Sequence, residues 1–331
     1  MNILITGGAG FIGSNLVEYW LNTHPDDNVA VLDKLAYGKA NIRRLLKHPR
    51  LHFERGNAAN STLAMVLLHE QSIDGVIHAA AQSHVDESIW DPIQTAHDNF
   101  TAAAVMLEES RRYGALKRFH LVSTDEVFGS LEDQSAFSEQ SPYRPNNPYS
   151  ASKAGADHLT RAYGKTYGLN VSITHCSNNY GPRQYPDKFL PKMICAADAG
   201  DPLTIYGDGT QRREWLHVED HCRAIDAVFR RAEPGSAYCV GGGAEWRNID
   251  LARKLCAIID ELRGREEGET AKQIRFVKDR PGHDARYAMD ASKIAADLGW
   301  QPDTPFETGL RKTVEWYLAR PDWVEKTVRH R

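Results

Sequence analysis

Three short segments of this chain hold residues whose types and spacing could do chemistry. They are Thr6-Gly7-Gly8-Ala9-Gly10-Phe11-Ile12-Gly13, Ser123-Thr124-Asp125-Glu126 and Tyr149-Ser150-Ala151-Ser152-Lys153. Gly7, Gly10 and Gly13 form a G-x-x-G-x-x-G loop, suited to a tight turn, a close backbone approach to a pyrophosphate, and close packing of helix on strand. The helix that follows would offer its unpaired N–H groups to phosphate oxygens. Asp33 stands 20 residues after Gly13. A carboxylate there accepts from a ribose 2′-OH and repels a 2′-phosphate, which favours NAD over NADP. A glycine-rich turn without a ligand is the plain alternative, and the strand before it, the helix after it and Asp33 weigh against that.

Tyr149 and Lys153 are four residues apart, so on a helix beginning at Pro148 they share one face. A phenol is a poor base at neutral pH, with an ordinary pKa near ~10. A neighbouring ammonium favours the phenolate, so this spacing predicts a lowered pKa and a proton-abstracting tyrosine. Tyr-x-x-x-Lys arises by chance in many helices and gains meaning only from its setting. Asp125 and Glu126 would be a solvated acidic turn in most sequences. Here they follow an apolar strand directly, at the edge where a ligand would lie. Elimination of water needs a base for a carbon acid and an acid for the departing hydroxyl, roles that two carboxyls in unlike environments can divide.

The elements that position these residues alternate. Ile3–Thr6, Val29–Leu32, Leu51–Phe53, Gly75–His78, Arg118–Val122 and Val171–Thr174 read as strands separated by helical segments. That pattern predicts an α/β fold, a Rossmann-type doubly wound parallel sheet with ligands at the strand carboxyl ends. After about Asn178 the strands shorten and Gly, Pro and Asp increase. We expect an NAD-binding domain over 1–177 and a smaller α/β substrate-binding lobe over 178–331. Some of its segments, Trp215–Phe229 among them, should return to the main domain. Arg263–Lys272 reads as a solvated loop or helix end, and the tail past Pro321 as loosely ordered.

At 331 residues the chain can bury a large core. Its net charge of −4 gives no basic field for nucleic acid or an acidic membrane surface. Anionic ligands must therefore be held locally. Arg183, Lys188, Arg212, Arg213, Arg280 and Arg286 lie in turn-rich segments and are candidates for a diphosphate, although composition does not say which. No apolar run is long enough to span a membrane, and the N-terminus lacks the features of a leader. The five cysteines are scattered, which predicts reduced thiols in a cytoplasmic protein. Neither they nor the histidines show metal-ligand spacing, so no metal is expected.

In order and wording, these segments resemble the extended short-chain dehydrogenase/reductase superfamily, and within it the dTDP-glucose 4,6-dehydratase family. The likeness runs through TGGAGFIGSN, LDKLAYGKAN, HAAAQSHVDESI, STDEVFG, NPYSASKAGADHL, SNNYGPRQYPDKFLPKMI, IYGDGTQRREWLHVEDH and RPGHDARYAMD. Thr124-Asp125-Glu126 is the most discriminating string, since the related sugar 4-epimerases lack the acid pair. The resemblance implies a nucleotide-diphosphate hexose substrate and bound NAD. Tyr149, assisted by Lys153 and Thr124, would take the C4 hydroxyl proton, Glu126 the C5 proton, and Asp125 would protonate the departing C6 hydroxyl. A 4-keto-6-deoxy sugar results. A 4-epimerase, or a dehydratase acting on another NDP-hexose such as a UDP-sugar, is the alternative.

The same resemblance implies that Gly7, Gly10, Phe11, Ile12, Gly13, Asp33, Lys34, Asn57, Ala79, Ala81, Asn99, Tyr149 and Lys153 surround the cofactor. It assigns Ser83, Asn178, Lys188, Arg213, Arg280 and Tyr287 to the substrate. A homodimer is implied, pairing helices around Asn99–Tyr113 and Tyr149–Tyr167. Five positions depart from the family pattern. Asn57 stands where an acid is common, Gln82 and Glu87 where Glu and Arg are usual, Phe128 for Tyr, and Cys239 for Asn.

Overall fold

The computed structural model describes residues 1–36, 38–279 and 281–328. Twelve strands are found among them: β1 (Asn2–Thr6), β2 (Asn28–Asp33), β3 (Leu51–Arg55), β4 (Gly75–His78), β5 (Arg118–Thr124), β6 (Val171–Cys176), β7 (Asn178–Tyr180), β8 (Leu203–Tyr206), β9 (Arg212–His217), β10 (Ala237–Val240), β11 (Ala244–Arg247) and β12 (Ile274–Val277). Seven build one sheet in the order β10-β6-β5-β4-β1-β2-β3, with every pairing parallel. Such a sheet must be covered on both faces, and its inner strand β1 is accordingly an apolar run rather than an alternating one. Ile3, Leu4 and Ile5 are all fully buried.

The strand order reverses between β1 and β4, which opens a crevice at their carboxyl ends, where dinucleotides bind on such sheets. Gly7 leaves β1 with φ +71°, and the helix Phe11–Thr23 starts four residues later. β4 ends at His78, and β5 and β6 deliver Thr124 and Cys176 to the same edge. These strands run one or two residues past the apolar stretches that mark them in the sequence, because Ser123, Thr124, His175 and Cys176 are all buried.

The helix Pro148–Tyr167 is set by local chemistry. Asn147 caps it by accepting from Ser150 N at 2.9 Å, while the Ser150 hydroxyl accepts from Asn147 N at 3.2 Å. Pro148 supplies the first turn, and Gly168 ends it in the left-handed conformation at φ +69°. A cap of this kind stabilises a helix by about 1 kcal/mol.

β10, late in the chain, pairs with β6 and completes the main sheet, and the helix Val218–Arg231 packs on β5 and β6. A separate apolar core joins the helices Phe189–Ala199, Asn248–Arg263 and Phe306–Leu318 to β8 and β9. Two segments are more ordered than their composition suggests. Past Pro321 the chain forms the helix Pro321–Val328, and Trp323 donates its indole N–H to Asn41 Oδ1 at 3.2 Å. The charged stretch after Arg263 is tied down by Asp260, whose carboxylate accepts from Gly268 N at 2.9 Å and Thr270 N at 3.0 Å.

Candidate active site

A cavity of about 540 Å³ lies along the carboxyl ends of β1, β2, β4, β5 and β6 and extends towards β7 and the helix Phe189–Ala199. That volume is typical of small-molecule and cofactor sites. Gly7, Gly10, Phe11, Ile12, Gly13, Asp33, Lys34, Asn57, Ala79 and Ala81 line one end. Thr124, Asp125, Glu126, Tyr149 and Lys153 line the cavity as well, and so do Ser83, Asn178 and Lys188.

The glycine loop has no room for side chains. A Cβ on Gly13 would meet Gly7 O at 2.1 Å, and one on Gly7 would lie 2.7 Å from the Ala80 backbone. Backbone N–H groups at the start of the Phe11–Thr23 helix are thus brought close to the cavity. The Asp33 carboxylate accepts from Ala9 N at 3.0 Å and Leu35 N at 2.7 Å, which orients it beside the loop. Burial nevertheless raises its pKa above the ordinary carboxylate value, against those two bonds. Tight glycines at a helix start and an oriented acid after β2 fit NAD. Asn57 keeps its local turn by accepting from Ala59 N at 2.9 Å.

Asp125 and Glu126 are adjacent but live in different surroundings. Asp125 is 2% exposed, and burial, the Glu126 charge and the Glu214 charge raise it well above the usual carboxylate range. Thr124 donates to Asp125 Oδ1 at 3.2 Å, while Asp125 Oδ2 is buried with no hydrogen-bond partner among the described residues. The same holds for the hydroxyls of Ser123 and Ser177, which also line the cavity. Buried polar atoms in this state need a partner, and here it is a ligand of the cavity that can supply one.

Tyr149 departs from its expected behaviour. Burial, then the charge of Glu126, hold its phenol well above the ordinary value, and a hydrogen bond with Thr124 only partly offsets this. Lys153 is not among the main influences on the phenol, and its ammonium donates to Val122 O at 2.8 Å. Burial lowers the Lys153 pKa, with Asp157 and Cys176 opposing. Positive charge brought close to the phenol favours the phenolate.

Several site expectations fall elsewhere. Asn99 is buried behind the cavity, where it accepts from Gln82 N at 2.6 Å and donates to Gln82 O and Ser152 Oγ. Arg213 and Tyr287 stack with the guanidinium 4.3 Å from the ring centroid, and Arg213 donates to Asp284 O at 2.8 Å. This pair is not on the cavity wall, yet the Arg213 charge acts on Asp125 and that of Glu126 on Tyr287. Among the remaining arginines, Arg183 pairs with Glu18 at 2.6 Å, and Arg212 and Arg286 share Glu245. Arg280 lies outside the described residues. Ser123, noted in the sequence at the end of β5, also lines the cavity; lining residues not foreseen include Ser177, Gln184 and Tyr185. Ser177 could have been found from its place after a strand end.

Residues 4–313 match the GDP-mannose 4,6 dehydratase family. The chain is 45% identical to an Escherichia coli dTDP-glucose 4,6-dehydratase, over 99% of this chain and 96% of that one. A Streptomyces venezuelae dTDP-glucose 4,6-dehydratase, solved with NAD and dTDP bound, superposes with a TM-score of 0.92 at 41% identity, covering 99% of this chain and 100% of that one. A Thermotoga maritima UDP-glucose 4-epimerase shares the fold at TM-score 0.87 but only 27% identity, with 97% and 100% covered. Fold, cavity and sequence agree: the chain belongs to the dTDP-glucose 4,6-dehydratase family of the extended short-chain dehydrogenases/reductases.

Proposed function

We propose that the protein is an NAD⁺-dependent hydro-lyase that converts dTDP-glucose to dTDP-4-keto-6-deoxyglucose. The observation that carries this reading is the pairing of Asp125, buried with its pKa raised, with Glu126 beside it, on one cavity with Tyr149 and Lys153. A 4-epimerase has no use for that pair.

Gly7, Gly10, Gly13 and Asp33 would hold NAD⁺, which would supply a hydride acceptor for C4 of the hexose and a hydride donor for C6. Tyr149 accepts the C4 hydroxyl proton, with Thr124 in hydrogen-bond contact with it and Lys153 supplying positive charge. The C4 ketone acidifies C5–H, and Glu126 removes that proton. Asp125 gives its proton to the C6 hydroxyl, which departs as water. Glu126 returns its proton to C5 as C6 is reduced, which completes the product.

Ser83, Asn178 and Lys188 are assigned to the sugar and phosphates because they line the same cavity, where Lys188 donates to Ser83 O at 2.7 Å. Arg213 and Tyr287 are assigned to the diphosphate and nucleotide end, adjoining the acid pair. Asn99 is assigned to the cofactor indirectly, through its hold on the Gln82 backbone. We also propose an NAD-binding part over 1–177 and a mainly substrate-binding part over 178–331. A cytoplasmic location is supported by the five free cysteines among the described residues. No helix among those residues is long and apolar enough to cross a membrane.

A homodimer is supported by Trp90 and Ile93, which are 84% and 82% exposed on short helices packed against Pro148–Tyr167. An apolar patch of this kind marks an interaction surface.

The test is product analysis. Protein with NAD⁺ is incubated separately with dTDP-glucose, UDP-glucose, UDP-N-acetylglucosamine and GDP-mannose. Loss of one water mass from dTDP-glucose, with a 4-keto-6-deoxy NMR spectrum, supports the reading. An unchanged mass with inverted C4 would establish the epimerase.

A further inference from the structure

Behind Lys153 lies a buried polar cluster that the proposed chemistry does not use. Asp157 is four residues beyond Lys153 on the same helix, so Tyr149, Lys153 and Asp157 occupy successive turns of one face. Asp157 and His175 are both fully buried, and His175 Nε2 lies 2.9 Å from Asp157 Oδ2. The Tyr143 hydroxyl donates to the same oxygen at 3.1 Å. Phe128, from the turn that carries the acid pair, closes the cluster with its ring centroid 4.9 Å from that of His175. The other carboxylate oxygen, Asp157 Oδ1, is buried and has no hydrogen-bond partner among the described residues. A buried carboxylate with one oxygen doubly held and the other unbonded needs a cation. Two cations flank it four residues away on its own helix: Arg161, part-exposed, donates to the Tyr143 hydroxyl at 3.4 Å, and Lys153, only 3% exposed, is the buried one.

We propose that Asp157, clamped by His175 and Tyr143, is the counter-ion that keeps the Lys153 ammonium charged inside the protein, and so acts as a positioning residue for the Tyr149–Lys153 pair. The inference rests on the dehydratase reading for its catalytic consequence, but not for its electrostatics. Burial works against the ammonium, and Asp157 is the largest influence opposing it. Other groups around Lys153 cannot replace that charge. Cys176, from β6, is a thiol pushed up by burial, and His78, from β4, is driven to about 3 by burial and by Lys153 itself. Tyr149, on the same helix, is held in its neutral form. Asp125 and Glu126 act on Tyr149 from the turn after β5, and Asp98, on the segment in front, is paired with Lys34 at 2.6 Å. Val122 O accepts from the ammonium but carries no charge.

The experiment is a pH series on Asp157→Asn, which keeps the shape of the side chain and removes its charge. Lys153 is followed by ¹³Cε NMR in the substrate-free protein, alongside kcat/KM. The Lys153 transition should move to lower pH than in wild type. Turnover should fall on the order of tenfold on the alkaline side and little below neutrality. His175→Asn retains a donor and the Asp157 charge, and should leave the Lys153 transition in place. A loss of rate equal at every pH, with the Lys153 transition unmoved, would overturn the proposal. Should Asp157→Asn not fold, the Asp157 ¹³Cγ signal of wild type decides: a carboxylate throughout the working pH range is required, and a protonated signal overturns it. If wild type dehydrates no nucleotide sugar, the functional reading fails while the NMR result still stands.

Discussion

Lys153 donates to the carbonyl of Val122 at 2.8 Å, so the ammonium is anchored to the strand that carries Thr124 and leads into the acid pair. One hydrogen bond thereby fixes the catalytic helix relative to β5. The phenol of Tyr149, on the turn before, faces Glu126, whose charge adds to burial in keeping it protonated. The base and the carboxylates are thus coupled from the start.

That coupling has a sign. A phenol held above its ordinary value exposes more phenolate as pH rises, so the rate of C4 oxidation should climb through neutrality. Tyr149→Phe should remove about 10²–10⁴-fold of kcat and abolish that dependence. NAD⁺ binding, followed by fluorescence, should survive.

Glu126→Gln should permit C4 oxidation and block elimination. Bound NADH should accumulate in single-turnover absorbance traces when substrate is added. Asp125→Asn should behave similarly, because its amide has no acidic proton for the C6 hydroxyl. Normal product at the wild-type rate from Glu126→Gln would remove it from the role of carbon base.

Asp125 also makes a prediction about stability. Its folded pKa is raised, so its contribution is fully present below the unfolded value near ~3.9 and is lost as pH rises towards the folded one. At neutral pH the site therefore carries a cost. Asp125→Asn should raise thermal stability there by about 0.5–2 kcal/mol, and the gain should vanish below pH ~4. Calorimetry at the two pH values checks it.

Gly13→Ala places a methyl group 2.1 Å from Gly7 O, a distance at which backbone must move. The loop should open, costing about 1–3 kcal/mol of stability and at least tenfold in NAD⁺ affinity. Urea unfolding and equilibrium dialysis separate the two effects.

Trp90→Glu with Ile93→Lys should convert a dimer to a monomer in light scattering, with secondary structure unchanged. A dimer that persists would move the interface away from the exposed pair.

What could be read from the sequence follows the range of the interactions involved. The glycine loop and the Tyr149–Lys153 pair are local motifs, and so is the cap at Asn147; each needs only a few neighbouring residues. Asp125 and Glu126 are indistinguishable as a dipeptide, and their different roles come from burial and from Glu214, 89 residues beyond Asp125. The arginines mislead for the same reason. Arg183 is taken by Glu18, 165 residues away, and Arg286 by Glu245, 41 residues away. The ordered tail depends on Trp323 meeting Asn41, a contact with no local trace. Nor does the Tyr149–Lys153 spacing disclose that the ammonium donates to Val122 O.

The most direct test of the central claim is the fate of the hydrogen on C4. dTDP-glucose labelled with deuterium at C4 is turned over with unlabelled NAD⁺, and the product is read by NMR and mass spectrometry. The account predicts deuterium at C6 of a 4-keto-6-deoxy sugar. Deuterium remaining on C4 of an inverted hexose, or a 6-deoxy product without label, would contradict it.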